Sequence, residues 1–254
     1  MTKKNKTDQL ISGIQLELFN TLPNDANPDK INLSDKNYNG NITSYNKFSN
    51  LSDKTESINQ SEEIIKIDDI NGLTYVRNFI SQDEHDILLE KIDSQPWLGD
   101  LQRRVQHYGY KYDYVQHKIN RDMYIAPLPD WALNIATKLH EHYSETLPDQ
   151  VIVNEYEPGQ GIANHTDCKT CFRDTIISLS LGSECIMDFT HPSLNQTSIL
   201  LEPRSLIIMQ GEARYNWRHG IAKRKSDKFQ GQVIKRARRV SLTFRTVIIP
   251  DYCP

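Results

Sequence analysis

After Pro148 the sequence holds no sustained helical period. Six short runs rich in β-branched and apolar residues follow instead, at 151–156, 175–181, 185–189, 198–201, 205–209 and 239–248, each closed by turn residues. Ahead of them, 73–80 alternates like a half-buried strand. Ser81 with Glu84 three residues on has capping-box spacing and opens a helix carrying Ile87, Leu88, Leu89 and Ile92. A second helix spans 131–139, entered through Pro127, Pro129 and Asp130. Helices first and many antiparallel strands afterwards predict a mainly β domain, a sandwich or jelly roll buttressed by flanking helices.

Residues 1–62 read as a disordered polar tail and 63–254 as one folded domain, because the tail is rich in Asn, Asp, Ser and Lys and too poor in apolar residues to offset its ordering entropy. One apolar island, 11–19, interrupts it and contains Gln15-Leu16-Glu17-Leu18-Phe19. A length of 254 residues at 37% hydrophobic content leaves no room for two full-size domains. The net charge of −3 excludes attachment to nucleic acid by bulk positive charge, so any such contact needs a local patch. Four cysteines are too few for a disulfide framework, and no apolar run reaches the roughly 20 residues that cross a bilayer. The expectation is a cytoplasmic monomer with reduced thiols and no membrane contact.

His165 and Asp167 stand two residues apart after the turn Pro158-Gly159-Gln160-Gly161. On extended backbone, residues i and i+2 share a face, so both can reach one ion. Octahedral Fe(II) that activates O₂ takes two histidines and a carboxylate on one face and keeps three positions open. His219 is the best-placed third ligand, with His191 as its competitor. A surface loop carrying His-x-Asp by chance is the alternative.

A second constellation supports the metal reading. Along 239–245, Arg239, Ser241, Thr243 and Arg245 share one strand face, opposite Val240, Leu242 and Phe244. Inward guanidinium groups without partners would be costly, and a dicarboxylate pairs with both. Arginines facing solvent on an edge strand are the alternative.

Asn154-x-Tyr156, His165-x-Asp167, His219 and Arg239-x-x-x-x-x-Arg245 together resemble the AlkB-type dioxygenase family, over about residues 70–249. The resemblance implies a double-stranded β-helix with an N-terminal nucleotide-recognition lid, and Fe(II) held by His165, Asp167 and His219. It implies 2-oxoglutarate and O₂ as cosubstrates, with Asn154 and Arg245 at the C1 end of 2-oxoglutarate and Tyr156, Arg239 and Ser241 at its distal carboxylate. The implied reaction oxidatively decarboxylates 2-oxoglutarate and hydroxylates a nearby C–H bond. On an N-alkyl carbon the product is a hemiaminal that sheds aldehyde.

Arg103-Arg104-Val-Gln-His107-Tyr108-Gly-Tyr110-Lys111-Tyr112-Asp-Tyr114 interleaves rings and cations, the mixture that stacks an extruded base and meets phosphates. The expected substrate-binding residues are Arg103, Arg104, Tyr108, Tyr110, Tyr112 and Lys169, the last standing where several repair members carry an acid. A hairpin with self-packed aromatics is the alternative. The basic stretch from Lys223, Arg224 and Lys225 through Arg236, Arg238 and Arg239 is a further candidate grip on phosphate, or a solvated loop. The wording of 103–110, 154–162, 178–182 and 187–192 is similar to the domain of tRNA wobble-uridine hydroxylases, whereas Gln15–Phe19 resembles the peptide that docks bacterial repair proteins on the DNA sliding clamp. The expected substrate is alkylated DNA, extending to RNA, with a tRNA wobble uridine as the alternative and a protein or lipid C–H bond as the less favoured one. Cys168-x-x-Cys171 with Cys253 offers sulfurs in a spacing zinc accepts, or free thiols.

Overall fold

The structure, a computed structural model, describes residues 62–99 and 102–249. The polar tail with its Gln15–Phe19 peptide, and Cys253, lie outside the described residues.

The first half alternates strands and helices: β1 (Glu63–Lys66), β2 (Leu73–Arg77), α1 (Gln82–Asp93), β3 (Val105–Tyr110), β4 (Tyr124–Ala126) and α2 (Asp130–His142). Strands dominate the rest: β5 (Gln150–Tyr156), β6 (Ile162–His165), β7 (Ile176–Gly182), β8 (Cys185–His191), β9 (Leu194–Leu201) and β10 (Leu206–Met209). A one-turn helix α3 (Gly211–Tyr215) leads into β11 (Arg218–Ile221), the hairpin β12 (Ser226–Phe229) and β13 (Gln232–Lys235), and β14 (Arg239–Arg245). Among the strands the sequence does not announce, β1, β6, β11, β12 and β13 have four residues each, too short to display a period.

α1 starts where the capping box places it. Ser81 Oγ accepts the Glu84 N–H at 3.2 Å, and the Glu84 carboxylate accepts the Ser81 N–H at 2.8 Å. The strand expected over 73–80 ends at Arg77, because Asn78 turns the chain at φ 51°.

All pairings are antiparallel. An eight-stranded sheet runs β1-β2-β10-β7-β14-β5-β3-β4, and a four-stranded sheet runs β6-β11-β8-β9. Two apolar clusters separate on the large sheet. One face holds Val76, Leu179, Val151, Val153, Val240, Leu242 and Phe244 against Leu88 and Ile92 of α1 and Ala132, Ile135 and Leu139 of α2. The other contributes Leu73, Ile207 and Met209 to a cluster with Met187, Phe189 and Leu201 of the small sheet. The mainly β jelly roll with flanking helices is therefore the architecture observed.

β14 lies centrally, paired with β5 and β7 along its length. Its even-numbered residues Val240, Leu242 and Phe244 are buried beneath the helices. Truncating a buried phenylalanine such as Phe244 to Ala costs about 3–5 kcal/mol. The odd-numbered face looks between the sheets and carries the polar residues of the site.

Candidate active site

β6 and β11 pair with His165 opposite His219. The close approach depends on Gly220, where a Cβ would stand 3.0 Å from the Asn164 backbone. The imidazole centroids are 4.4 Å apart. Asp167, in the loop just beyond β6, completes a cluster whose ligand atoms lie within 4.8 Å of one another. His191, the competing third ligand, instead packs on Trp217 at 5.3 Å and accepts the Ser193 N–H.

Hydrogen bonds aim these groups. His165 Nδ1 donates to the Ala163 carbonyl at 2.9 Å, which leaves Nε2 with its lone pair free for a metal. Arg245 Nη2 donates to Asp167 Oδ1 at 2.6 Å, and Asp167 Oδ2 lies 3.6 Å from His219 Nε2. Burial by itself would raise the Asp167 carboxyl, but Arg245, His219, His165 and Arg214 outweigh it and hold it well below the usual carboxylate range. Burial pushes His219 down to about 4 against the pull of Asp167. A carboxylate and neutral imidazoles are the protonation states that bind metal, so the donor set fits Fe(II).

Beside the triad a cavity of about 350 Å³ is floored by Asn154, Tyr156, Arg239, Ser241, Thr243 and Arg245. Arg239 is 3% exposed; its Nη2 donates to Ser180 Oγ at 2.9 Å and its plane lies 5.4 Å from the Tyr156 ring. The Nε and Nη1 of both Arg239 and Arg245 are buried without a hydrogen-bond partner. Orphaned cationic donors at the two ends of one strand face fit a dicarboxylate such as 2-oxoglutarate.

The expected substrate residues divide. Arg103 lines the cavity, donating from Nε to Asn154 Oδ1 at 2.8 Å, and Tyr112 lines it with its ring 5.1 Å from Tyr114. Arg104 instead pairs with Glu155, Nη2 to Oε1 at 2.7 Å, and lies over Trp97. Tyr108 is buried among the helix-facing core residues, edge-on to Trp131 at 5.1 Å, and donates to Gln106 Oε1. Tyr110 packs on Tyr124, and Lys169 is exposed outside the cavity lining. Strand alternation explains the split, because Gln106 and Tyr108 take the helix face of β3 while Val105 and His107 pair opposite the cavity-lining Asn154 and Ile152.

Tyr114, His117, Thr166 and Phe172 complete the wall. Arg214 is a further residue not singled out from sequence: 2% exposed, it donates to the Asp167 and Cys168 carbonyls at 2.9 and 2.7 Å. No period flags it, since α3 is a single turn. Cys168 and Cys171 are joined as a disulfide, so neither is the thiolate a zinc site requires nor the reduced thiol expected. No helix of the described residues is long and apolar enough to cross a membrane.

Two antiparallel sheets enclosing a His-x-Asp and distant-His triad beside two buried arginines define a non-haem iron, 2-oxoglutarate-using oxygenase. Residues 72–245 match the model of the 2OG-Fe(II) oxygenase superfamily. The chain is 39% identical over 204 residues to the tRNA (carboxymethyluridine(34)-5-O)-methyltransferase ALKBH8 of Macaca fascicularis, covering 69% of this chain and 30% of that protein. It is 34% identical over 216 residues to the alkylated DNA repair protein ALKBH8 homolog of Arabidopsis thaliana, covering 72% and 62%. The solved structure of OsALKBH1 superposes with a TM-score of 0.53 at 17% identity, over 72% of this chain and all of that one, which supports the fold. The chain belongs to the 2OG-Fe(II) oxygenase superfamily, and within it to the AlkB-type dioxygenases that use Fe(II), 2-oxoglutarate and O₂.

Proposed function

We propose that the enzyme oxidises a C–H bond on a modified nucleobase, removing alkyl groups from DNA bases. The carrying observation is the single cavity that joins the iron triad and the two orphaned arginines to a wall of Tyr112, Tyr114, His117 and Phe172. A base taken out of its stack needs flat aromatic walls, and this cavity supplies them.

When bound, Fe(II) and 2-oxoglutarate supply the oxidising chemistry; the chain supplies placement. His165, Asp167 and His219 would hold the metal. Arg239 and Tyr156, with Ser241, would hold the distal carboxylate of 2-oxoglutarate, and Asn154 and Arg245 its C1 end. Arg103, tied to Asn154 and 5.6 Å from the Tyr156 ring, closes that side of the cavity. Tyr112 and Tyr114, both lining the cavity, would shield a bound base from water.

A tRNA nucleoside is the second reading, favoured by the 39% identity to a tRNA-modifying relative across this domain. Incubation of Fe(II)-loaded protein with 2-oxoglutarate, a methylated single-stranded DNA set and bulk tRNA separates them by product mass. Loss of a methyl group from DNA is the expected result. Succinate released while both nucleic acids stay unaltered would overturn both readings.

A further inference from the structure

Residues 218–239 contain nine lysines and arginines and one acid, Asp227, in a chain whose net charge is −3. The structure sorts these cations by task. Asp227, buried at 1% exposure, takes Arg236 through Nε at 2.6 Å and Nη2 at 2.8 Å, takes Arg224, and accepts the Ile186 N–H at 3.1 Å. Arg238 pairs with Asp93 and Glu155, Arg218 donates to the Asn164 carbonyl, and Arg239 floors the cavity. The arginines are thus used inside the fold.

Four lysines remain, Lys223, Lys225, Lys228 and Lys235, all exposed, and among the described residues none has an ion-pair partner. The hairpin register puts Ser226 opposite Lys235 and Lys228 opposite Val233 on one face, with Asp227 opposite Ile234 on the other. Asp227, bonded to the backbone of β8 and to Arg236, fixes the second face to the body of the domain. The first face therefore presents two lysines flanking Val233, itself 62% exposed, in a fixed orientation.

The row starts at the cavity. Lys223 follows the cavity-lining Ile221 by two residues and donates at 2.8 Å to Gln102, the neighbour of cavity-lining Arg103. Lys225 lies against Gly159, whose N–H donates to the Arg224 carbonyl.

We infer that Lys223, Lys225 and the outer face of the β12–β13 hairpin form a docking track for the phosphate backbone of a single-stranded nucleic acid whose target base enters the cavity. This rests on the nucleic-acid reading above. Unpaired lysines on a rigid ribbon match a chain of regularly spaced phosphates, and each phosphate they neutralise releases counterions. A target base held out of its stack requires the flanking strand to be gripped elsewhere.

The test measures binding of fluorescent single-stranded DNA and RNA oligonucleotides to the full-length protein across a salt series, for wild type and the triple variant Lys225→Ala, Lys228→Ala and Lys235→Ala. The slope of log affinity against log salt falls in magnitude by about 2, at roughly 0.7 per lysine for single strands. The corresponding triple arginine variant restores it. Thermal midpoint, and succinate release without nucleic acid, stay at wild-type values. An unchanged slope overturns the track, as does equal loss of binding to an anionic vesicle with no change for oligonucleotides. Product formed with an unchanged slope refutes the track and leaves the proposed function standing. A reduced slope with no oxidised product refutes the function and leaves the track.

Discussion

Arg245 and Asp167 share one hydrogen bond across the floor of the cavity, 2.6 Å from Nη2 to Oδ1, and it fixes which carboxylate oxygen is left for the metal. Because Oδ1 is engaged, Oδ2, 3.6 Å from His219 Nε2, is the free ligand atom. Asp167→Ala is expected to abolish Fe(II) binding and turnover. Arg245→Gln, which keeps a donor but loses the charge, should weaken metal binding by about 10–100-fold. Titration with Fe(II) or Co(II) checks both, and a wild-type affinity in Asp167→Ala contradicts the site.

Arg239 lines the cavity outside the triad, and its Nε and Nη1 have no hydrogen-bond partner. Arg239→Ala should raise the 2-oxoglutarate concentration needed for half-maximal succinate release by roughly 10–100-fold, the range for a lost charged hydrogen bond. Metal affinity should stay unchanged. Steady-state kinetics with metal titration reads the difference.

Arg214 braces the metal loop through two consecutive carbonyls and stands five residues before His219 in sequence. Arg214→Met leaves those carbonyls without their donor and should lower metal affinity by about 10-fold or more. Arg214→Lys, which reaches one carbonyl, should recover part of it. Metal titration beside a thermal melt distinguishes this from general unfolding.

His107 is buried, its Nδ1 has no hydrogen-bond partner, and its ring lies 5.9 Å from Tyr114. Burial first, then Lys111 and Arg245, push the imidazole down to about 3. An unfolded chain takes up this proton near pH 6.5, so the folded state binds fewer protons between those values. The contribution of His107 is therefore complete above about pH 6.5 and is lost as pH falls toward 3, a change on the order of a few kcal/mol. His107→Phe should flatten the acid limb of a plot of denaturation midpoint against pH. An unaltered limb would contradict the burial argument.

Tyr108 and Tyr114 offer a contrast within one aromatic run. Tyr108→Ala should destabilise the fold by about 3–5 kcal/mol, as for other large aromatic truncations. Tyr114→Ala should chiefly raise the substrate KM. Denaturant melts and kinetics on a methylated oligonucleotide test the pair.

The His165–Asp167 pair and the Arg239–Arg245 face were legible because each rests on a period of two within one strand or loop, which sequence displays directly. His219 needed a partner strand, which the sequence does not display, and the β6–β11 pairing is what brings it beside His165 and Asp167. The aromatic run misled where composition was read without period, since the alternation of β3 sends Tyr108 to the helices and leaves Tyr112, beyond the strand, at the cavity. In the basic stretch the division of labour was hidden, because which cations are free depends on acids far away in sequence, such as Asp93 and Glu155 for Arg238. Arg214 was invisible because its partners are backbone carbonyls, which every sequence has.

β14 fixes its helix-facing residues and its two cavity-lining arginines by the same alternation. A slip of one residue would turn both guanidinium groups into the helix-packed core and expose Val240, Leu242 and Phe244 to the cavity, so a misregistered chain would be both unstable and inactive. Substitutions in this strand thus have little room to trade one property for the other. Only the native register brings both arginines to the cavity, so a 2-oxoglutarate analogue is expected to favour that alignment over a slipped one and to raise Tm with its concentration.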